Sequence, residues 1–156
     1  MMKRHSLDHA DYEIIRELQE NSRASMQKIA TSLGYSKGKV YKRLNRLLKN
    51  GIVTMRAIVD PYTVGYDMDA LIMLRVKPGF MDRATNALVE LDPVIWLGEC
   101  SGAYDTVVRV VFRDKYELAE FVKNEIAKVP GVMSSETMVL FTVRKWPGVW
   151  IPKPTI

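Results

Sequence analysis

Residues 36–50 have the pattern of a single amphipathic helix whose polar side is entirely basic. Apolar side chains recur in this stretch at offsets of four, seven and eight, which is the spacing of one helical face. They are Val40, Leu44, Leu47 and Leu48. The other positions include six Lys or Arg and no Asp or Glu. Because exposed helices normally mix both signs of charge, we expect this helix to lie against a long anionic partner, and double-stranded DNA is the first candidate.

The excess positive charge of the chain lies in its first part. The 156 residues carry a net charge of +5, yet residues 1–62 alone carry +6 and residues 63–156 carry −1. The hydrophobic fraction of 47% is that of a folded protein, and the length allows one ordinary domain or two small ones. This asymmetry predicts a basic N-terminal domain followed by a near-neutral one.

Two shorter helices are expected before the basic one. Asp8 is a suitable N-cap for the first, which should end near Asn21. Asp11 is shorter than the usual Glu, so we do not expect a reciprocal capping box there. Ser25 should cap a second helix that Gly34 ends. A short helix, a tight turn containing Gly and a longer helix form the helix-turn-helix pattern.

The basic helix should begin after Ser36 and end at Gly51. Residues 52–60 are rich in β-branched residues. We expect them to form a strand or small wing that Pro61 closes. The first domain is therefore predicted to be a winged helix-turn-helix.

The second part of the chain alternates strand and helix patterns in the order β-α-β-β-α-β. The predicted strands are residues 70–77, 95–101, 106–112 and 137–143, and the predicted helix faces span residues 84–91 and 118–129. This order predicts a ferredoxin-like domain of the α+β class, with both helices on one side of an antiparallel sheet. The other side of the sheet also carries apolar residues, so we expect a second copy of the chain to cover it in a homodimer.

These patterns predict a domain at residues 1–59, a linker at 60–69 and a second domain at 70–156. The segment 145–156 is too apolar for a free tail and is expected to pack as a C-terminal arm. Cys100 is the single cysteine, which excludes an intramolecular disulfide, and we expect no metal site, cofactor or catalytic residue. No run approaches the ~18 apolar residues of a membrane span, so we expect a cytoplasmic protein with no membrane partner.

Two sets of short motifs occur in order along the chain. In the first part they are Leu7, Asp8 and Asp11, then Arg23 and Ser25, Ile29 and Ala30, and Leu33, Gly34, Ser36, Val40 and Arg43. In the second part they are Gly102, Tyr104 and Asp105, then Pro130, Gly131 and Val132. In this order and on these elements, the motifs resemble those of the Lrp/AsnC (feast/famine) family of transcriptional regulators. The resemblance implies a sequence-specific DNA-binding regulator that is not an enzyme.

If the resemblance holds, the helix that follows Ser36 enters the major groove of DNA. Ser36 at the start of this helix is among the residues expected to contact DNA. The residues expected at the bases are Lys37, Gly38, Lys39, Tyr41 and Lys42, and those expected at phosphates are Arg43, Arg46 and Lys49. Lysine gives less geometric readout than a bidentate arginine, so DNA shape is expected to contribute to specificity. The alternative is a basic face that is simply solvated.

The resemblance also implies that the second domain forms homodimers that assemble into octamers and that it binds a small effector, commonly an amino acid. The effector is expected near the turn that contains Ser101, Gly102, Tyr104 and Asp105. Gly102 allows an unusual backbone angle that exposes amide groups, and Asp105 could accept a hydrogen bond from an α-amino group. The alternative role for Asp105 is to cap the turn.

Two other functions fit the same architecture. Certain tetrapyrrole decarboxylases resemble Lrp-type proteins that have lost DNA binding, but this chain has no His after His9 and keeps its cationic helix. A non-specific architectural protein that coats DNA would also carry a basic helix. Footprinting separates these possibilities, because a regulator protects a discrete site and an architectural protein protects DNA uniformly.

Overall fold

The computed structural model describes residues 5–145, which divide into two compact units at residues 57 and 58. The first unit contains three helices: α1 (His9–Glu20), α2 (Met26–Leu33) and α3 (Lys37–Lys49). The second contains β1 (Met68–Val76), α4 (Met81–Val89), β2 (Val94–Glu99), β3 (Thr106–Phe112), α5 (Lys115–Asn124) and β4 (Val132–Val139). The predicted order of helices and strands, and with it the α+β fold class, is confirmed.

The three N-terminal helices begin and end where the sequence predicts. Asp8, Ser25 and Ser36 each accept a hydrogen bond from a backbone N–H of the first turn of their helix. Gly34 ends α2 with a left-handed φ of 64°, which a residue with a Cβ adopts at a cost.

The reciprocal capping box at the start of α1, which we did not expect, is present. The Asp11 N–H donates to Asp8 Oδ1, and the Asp8 N–H donates to Asp11 Oδ2, both at 3.1 Å. The shorter Asp side chain therefore reaches the N-cap backbone as the usual Glu does.

A single apolar core holds the helix-turn-helix together. It contains Ile14, Leu18, Ile29, Ala30, Val40 and Leu44, so that each of the three helices contributes one face. The amphipathic pattern of the basic helix is thus confirmed, since its apolar stripe is buried against α1 and α2.

The predicted strand or wing at residues 52–60 is wrong as secondary structure. Residues 54–60 form neither helix nor strand, and the side chains of Ile58 and Val59 are exposed. An extended segment becomes a strand only when a second segment supplies hydrogen bonds, and no described strand pairs with this one. Composition alone predicted a strand for which residues 5–145 supply no partner.

The second unit is a four-stranded antiparallel sheet with strand order β2-β3-β1-β4. Its core lies on one face, where Ile72, Leu74, Val108 and Val110 pack with residues of both α4 and α5. The prediction that both helices cover the same side of the sheet is therefore confirmed.

Two elements of this unit, β4 and α5, have bounds that differ from the prediction by about a helical turn or more. β4 was expected at residues 137–143 and lies at Val132–Val139, because backbone pairing with β1 defines this edge strand through a polar stretch that carries no apolar pattern. The second helix was expected to reach Val129, but α5 ends at Asn124 and a 3-10 helix, Ile126–Lys128, continues the buried face.

The predicted linker at residues 60–69 contains a 3-10 helix, Pro61–Val64, capped by Asp60, and its last residue, Asp69, lies in β1. Of the predicted C-terminal arm, residues 146–156 lie outside the described residues. Within residues 5–145, no helix has the length and apolar character needed to cross a bilayer.

Candidate nucleic-acid interface

The basic side of α3 faces solvent because the apolar side of this helix is buried in the core of the first unit. Val40, Leu44 and Leu47 are buried. The helix starts at Ser36, whose Oγ accepts a hydrogen bond from the Lys39 N–H at 3.2 Å. The core therefore fixes the orientation of α3, and the Ser36 cap fixes where the helix begins. Together they determine where the cationic side chains lie.

The structure exposes all but one of the DNA-contacting residues predicted from the sequence. The exposed residues are Ser36, Lys37, Gly38, Lys39, Tyr41, Lys42, Arg46 and Lys49. Arg43 is partly buried. Tyr41 is 56% exposed, so its ring is available to a partner rather than to the core.

Part of this surface is a broad, open depression of ≈ 660 Å³ between the N-terminal end of α1 and the basic side of α3. It is lined by Asp8, Ser36, Gly38, Lys39, Lys42, Arg43 and Arg46. Four of these residues are cationic and one is acidic. A Cβ added at Gly38 would meet no atom within 4 Å, so the backbone is open to close approach there.

Lys39 is held by an aromatic ring from the preceding turn. Its Nζ lies 3.2 Å from the ring centroid of Tyr35, a cation–π contact. The Tyr35 hydroxyl donates to Glu13 Oε2 at 2.6 Å, and this hydrogen bond raises the pKa of Tyr35. Lys39 is thus oriented before any ligand arrives.

Arg43 and Arg46 are paired with two acids at the start of α1, its N-cap Asp8 and Asp11. Arg43 Nη1 lies 2.7 Å from Asp8 Oδ2 and 2.9 Å from Asp11 Oδ1, and Arg46 Nη2 lies 2.5 Å from Asp11 Oδ2. The Asp11 side chain is 1% exposed, so this carboxylate belongs to the interior of the unit. The hydrogen bond from Arg43 lowers the pKa of Asp8.

These ion pairs change the interpretation of the two arginines. We expected both to contact DNA phosphates, whereas in this structure both bind carboxylates of the same chain. Asp8 and Asp11 belong to a motif that the sequence shows, but they lie more than thirty residues away from the arginines that they bind. A local pattern does not show which distant acid meets which base.

The sequence interpretation also omitted Asn45. It is exposed and lies three residues after Lys42 and four before Lys49, so these side chains share a helical face. Asn can pair with adenine through two hydrogen bonds. An Asn on the same helical face as Lys42 and Lys49 is the feature of the sequence that could have identified Asn45 as a DNA-contacting candidate.

The turn predicted to bind an effector has an ordered internal structure. Gly102 has a φ of 126°, and a Cβ there would be strained although it would meet no atom. Asp105 Oδ2 accepts a hydrogen bond from the Val76 N–H at 2.8 Å, and the Asp105 N–H donates to the Leu74 carbonyl at 2.9 Å. Asp105 thus ties the turn to β1, a structural role beyond the turn itself.

Tyr104 of the same turn reaches across to β4. Its hydroxyl donates to Glu136 Oε2, and the Arg75 guanidinium lies 5.7 Å from its ring centroid. Ser101 is exposed, and so are Arg75 and Glu136. The turn therefore lies beside groups of both charges, which could contact an α-carboxylate and an α-amino group.

A family model described as winged helix-turn-helix DNA-binding matches residues 7–54, and one described as Lrp/AsnC ligand binding domain matches residues 69–146. An uncharacterized HTH-type transcriptional regulator of Pyrococcus furiosus is 36% identical over 141 residues, which cover 90% of this chain and 95% of the relative.

Solved structures agree with these matches. The structure of Escherichia coli AsnC has a TM-score of 0.85 at 25% identity and covers 91% of this chain and 97% of its own. A Neisseria meningitidis transcriptional regulator, solved as a complex with L-Met, has a TM-score of 0.84 at 22% identity, covers 90% of this chain and 94% of its own, and shows the same fold. The chain therefore belongs to the Lrp/AsnC family of helix-turn-helix transcriptional regulators.

Proposed function

We propose that this DNA-binding regulator contacts double-stranded DNA through the exposed basic side of α3, with Lys37, Lys39 and Lys42 as the principal cations. The observation that carries the proposal is that some cations of α3 form ion pairs with acids of the same chain and others do not. Arg43 and Arg46 bind acids, whereas none of the three lysines has an ion pair among the described residues. Cations that no carboxylate neutralises, at the start of a capped helix, form a surface that attracts phosphate.

The arrangement favours groove entry by the first turns of α3. Gly38 leaves open space where a DNA backbone could approach. Tyr41 and Asn45 add a ring and an amide that can contact base edges. Lys49, near the C-terminal end, is placed to contact a phosphate further along the duplex.

Selection of bound duplexes from a random library, followed by footprinting, tests this proposal. We expect a discrete protected sequence, as a regulator with base contacts requires. Uniform protection at every ratio of protein to DNA would favour an architectural, DNA-coating role. Failure to bind any duplex would contradict the proposal and reopen the enzymatic alternative.

We also propose that an amino acid modulates this regulator by binding near Ser101, Gly102, Tyr104 and Asp105. Support comes from the charged and hydroxyl groups around the turn, which include Arg75 and Glu136. The similarity in fold to a regulator that was solved with L-Met also favours this class of ligand.

A thermal-shift screen with each standard amino acid tests the effector proposal. The informative variant is Asp105→Asn, because Asn keeps an oxygen that can accept from the Val76 N–H and loses only the charge. We expect at least one amino acid to stabilise the wild type and to lose this effect in the variant. Absence of stabilisation by any amino acid would exclude sensing of this kind.

Finally, we propose that the protein is a homodimer, and in turn a larger assembly, that forms through the sheet face opposite α4 and α5. The register places Trp96, Arg109, Leu71 and Met138 in one row across that face. Trp96 is 53% and Met138 49% exposed. A face of this composition, left uncovered by the helices, suits a second copy of the chain.

A further inference from the structure

Asp8 is the single acid that lines the basic depression beside α3. A carboxylate at a surface that receives DNA repels phosphate unless a cation neutralises it. Here the cation is Arg43, whose Nη1 lies 2.7 Å from both Asp8 oxygens. The acid and its partner therefore both lie where the proposed DNA backbone would pass.

The two acids that bind Arg43 lie in different environments. The Asp8 side chain is 57% exposed, whereas that of Asp11 is 1% exposed. Arg43 itself is 26% exposed. An exposed ion pair is weak and exchanges readily, while the buried Asp11 contact, at 2.9 Å, can keep Arg43 in place if Asp8 leaves.

We propose that Asp8 competes with the DNA backbone for Arg43, holding this arginine in the free protein and giving it up to a DNA phosphate on binding. The proposal rests on the proposed DNA-binding role of α3. A phosphate oxygen binds a guanidinium at least as well as a carboxylate does, so Arg43 exchanges one charged acceptor for another. Arg43 then contributes to DNA binding only after Asp8 has been displaced.

This exchange predicts how the affinity for DNA depends on the salt concentration. A cation that contacts a phosphate releases a counterion, which steepens the slope of log affinity against log salt by ~0.9. When a phosphate displaces Asp8, the negative charge of the carboxylate stays beside the DNA and offsets the charge of Arg43, so the two residues together neutralise almost no phosphate charge. In the wild type, the Arg43 contact should therefore add almost nothing to the slope.

The experiment is a salt titration of binding to a mixed-sequence DNA duplex by the full chain and its Asp8→Asn variant. Asn caps helices as well as Asp does, so the variant removes the charge and keeps an oxygen that can accept from the Asp11 N–H. We expect roughly two- to fivefold tighter binding at low salt. We also expect the slope to steepen by ~0.9. Asp8→Ser, a second capping residue without charge, should behave in the same way.

The matched control is Glu20→Gln, which makes the same change in net charge at the opposite end of α1 and outside the depression. It should leave the slope unchanged. A purely structural role for Asp8 would lower the stability of both Asp8 variants without steepening the slope. The proposal is overturned if the slopes of the Asp8 variants match that of the wild type, or if Glu20→Gln steepens the slope equally. A wild type that binds no DNA would refute the role of α3 as well.

Discussion

Asp11 shows at the scale of one residue how the helix-turn-helix is stabilised. Its buried carboxylate accepts hydrogen bonds from the guanidinium groups of Arg43 and Arg46 and from the Asp8 N–H. A buried anion is tolerated only when its hydrogen bonds are satisfied, and these donors come from α3 and from the residue that caps α1. Asp11 therefore joins the first helix to the basic one through charge, in addition to the apolar core.

The variant Asp11→Asn should destabilise the first unit by about 1–3 kcal/mol, because it weakens several charge-assisted hydrogen bonds and turns an amide group towards two cations. Urea unfolding of the full chain, followed by far-UV circular dichroism, measures this loss. Asp8→Asn is the matched comparison, since Asp8 is exposed, and it should cost less. Equal losses in the two variants would contradict the distinction between a buried and an exposed acid.

The ion pair between Asp8 and Arg43 predicts that the stability of the protein depends on pH. Because Arg43 lowers the pKa of Asp8 in the folded protein, the pair adds stability above the ordinary value of 3.8, and this contribution is lost as the pH falls through the folded-state pKa. The difference in unfolding temperature between the wild type and Asp8→Asn should therefore shrink below pH 3.8. A difference that stays constant across this range would show that the charge of Asp8 adds no stability.

At the scale of elements, α3 has a clear amphipathic pattern and a good N-cap, but one of its residues, Gly38, has low helix propensity. Gly38 lies in the first turn, where a Gly lowers helix propensity, yet none of the described residues requires it because a Cβ there would meet none of their atoms within 4 Å. A glycine that the fold does not need is consistent with a partner that approaches the backbone closely.

Gly38→Ala should stabilise the protein by roughly 0.4–1 kcal/mol or leave it unchanged, because Ala reduces the freedom of the unfolded chain. If the DNA backbone approaches at this point, the same variant should bind DNA more weakly. Unfolding and gel-shift measurements on one preparation separate the two effects. Undiminished DNA binding would show that the backbone of α3 stays clear of the duplex at this position.

The elements also show what can be predicted from sequence. Periodicity and capping residues identified α1, α2 and α3 because their signals are local. The strand expected at residues 52–60 was wrong and β4 was misplaced, because pairing with a second segment decides whether an extended stretch is a strand. In the candidate site, the exposed lysines followed from the apolar stripe, whereas the acid partners of Arg43 and Arg46 depended on tertiary contacts.

At the scale of the whole molecule, the sheet of the second unit has one face covered by two helices and a second face that no helix of this unit covers, where Arg109 and Asp69 form a buried ion pair. α4 and α5 pack on the first, and the second presents Trp96 and Met138 at opposite edges of one row. These exposed apolar groups, together with Leu71 between them, explain why we propose an assembly of identical chains rather than a monomer.

In the proposed dimer, combining Trp96→Glu with Met138→Glu should separate the two chains, because two carboxylates would have to lose their hydration in the interface. Sedimentation velocity gives the mass directly. The control is Val89→Glu, an equally exposed apolar residue on α4, which should leave the dimer intact. If the double variant remains dimeric, the interface lies elsewhere.

The central claim is that lysines at the start of α3 bind DNA phosphates, and salt dependence tests it most directly. Replacing Lys37, Lys39 and Lys42 with Ala should make the slope of log affinity against log salt shallower by about 2–3 and abolish binding at moderate salt. A control that replaces Lys115, Lys123 and Lys128, exposed residues of the second unit, makes the same change in net charge and should leave the slope unchanged. Equal slopes in the wild type and the α3 variant would contradict the account.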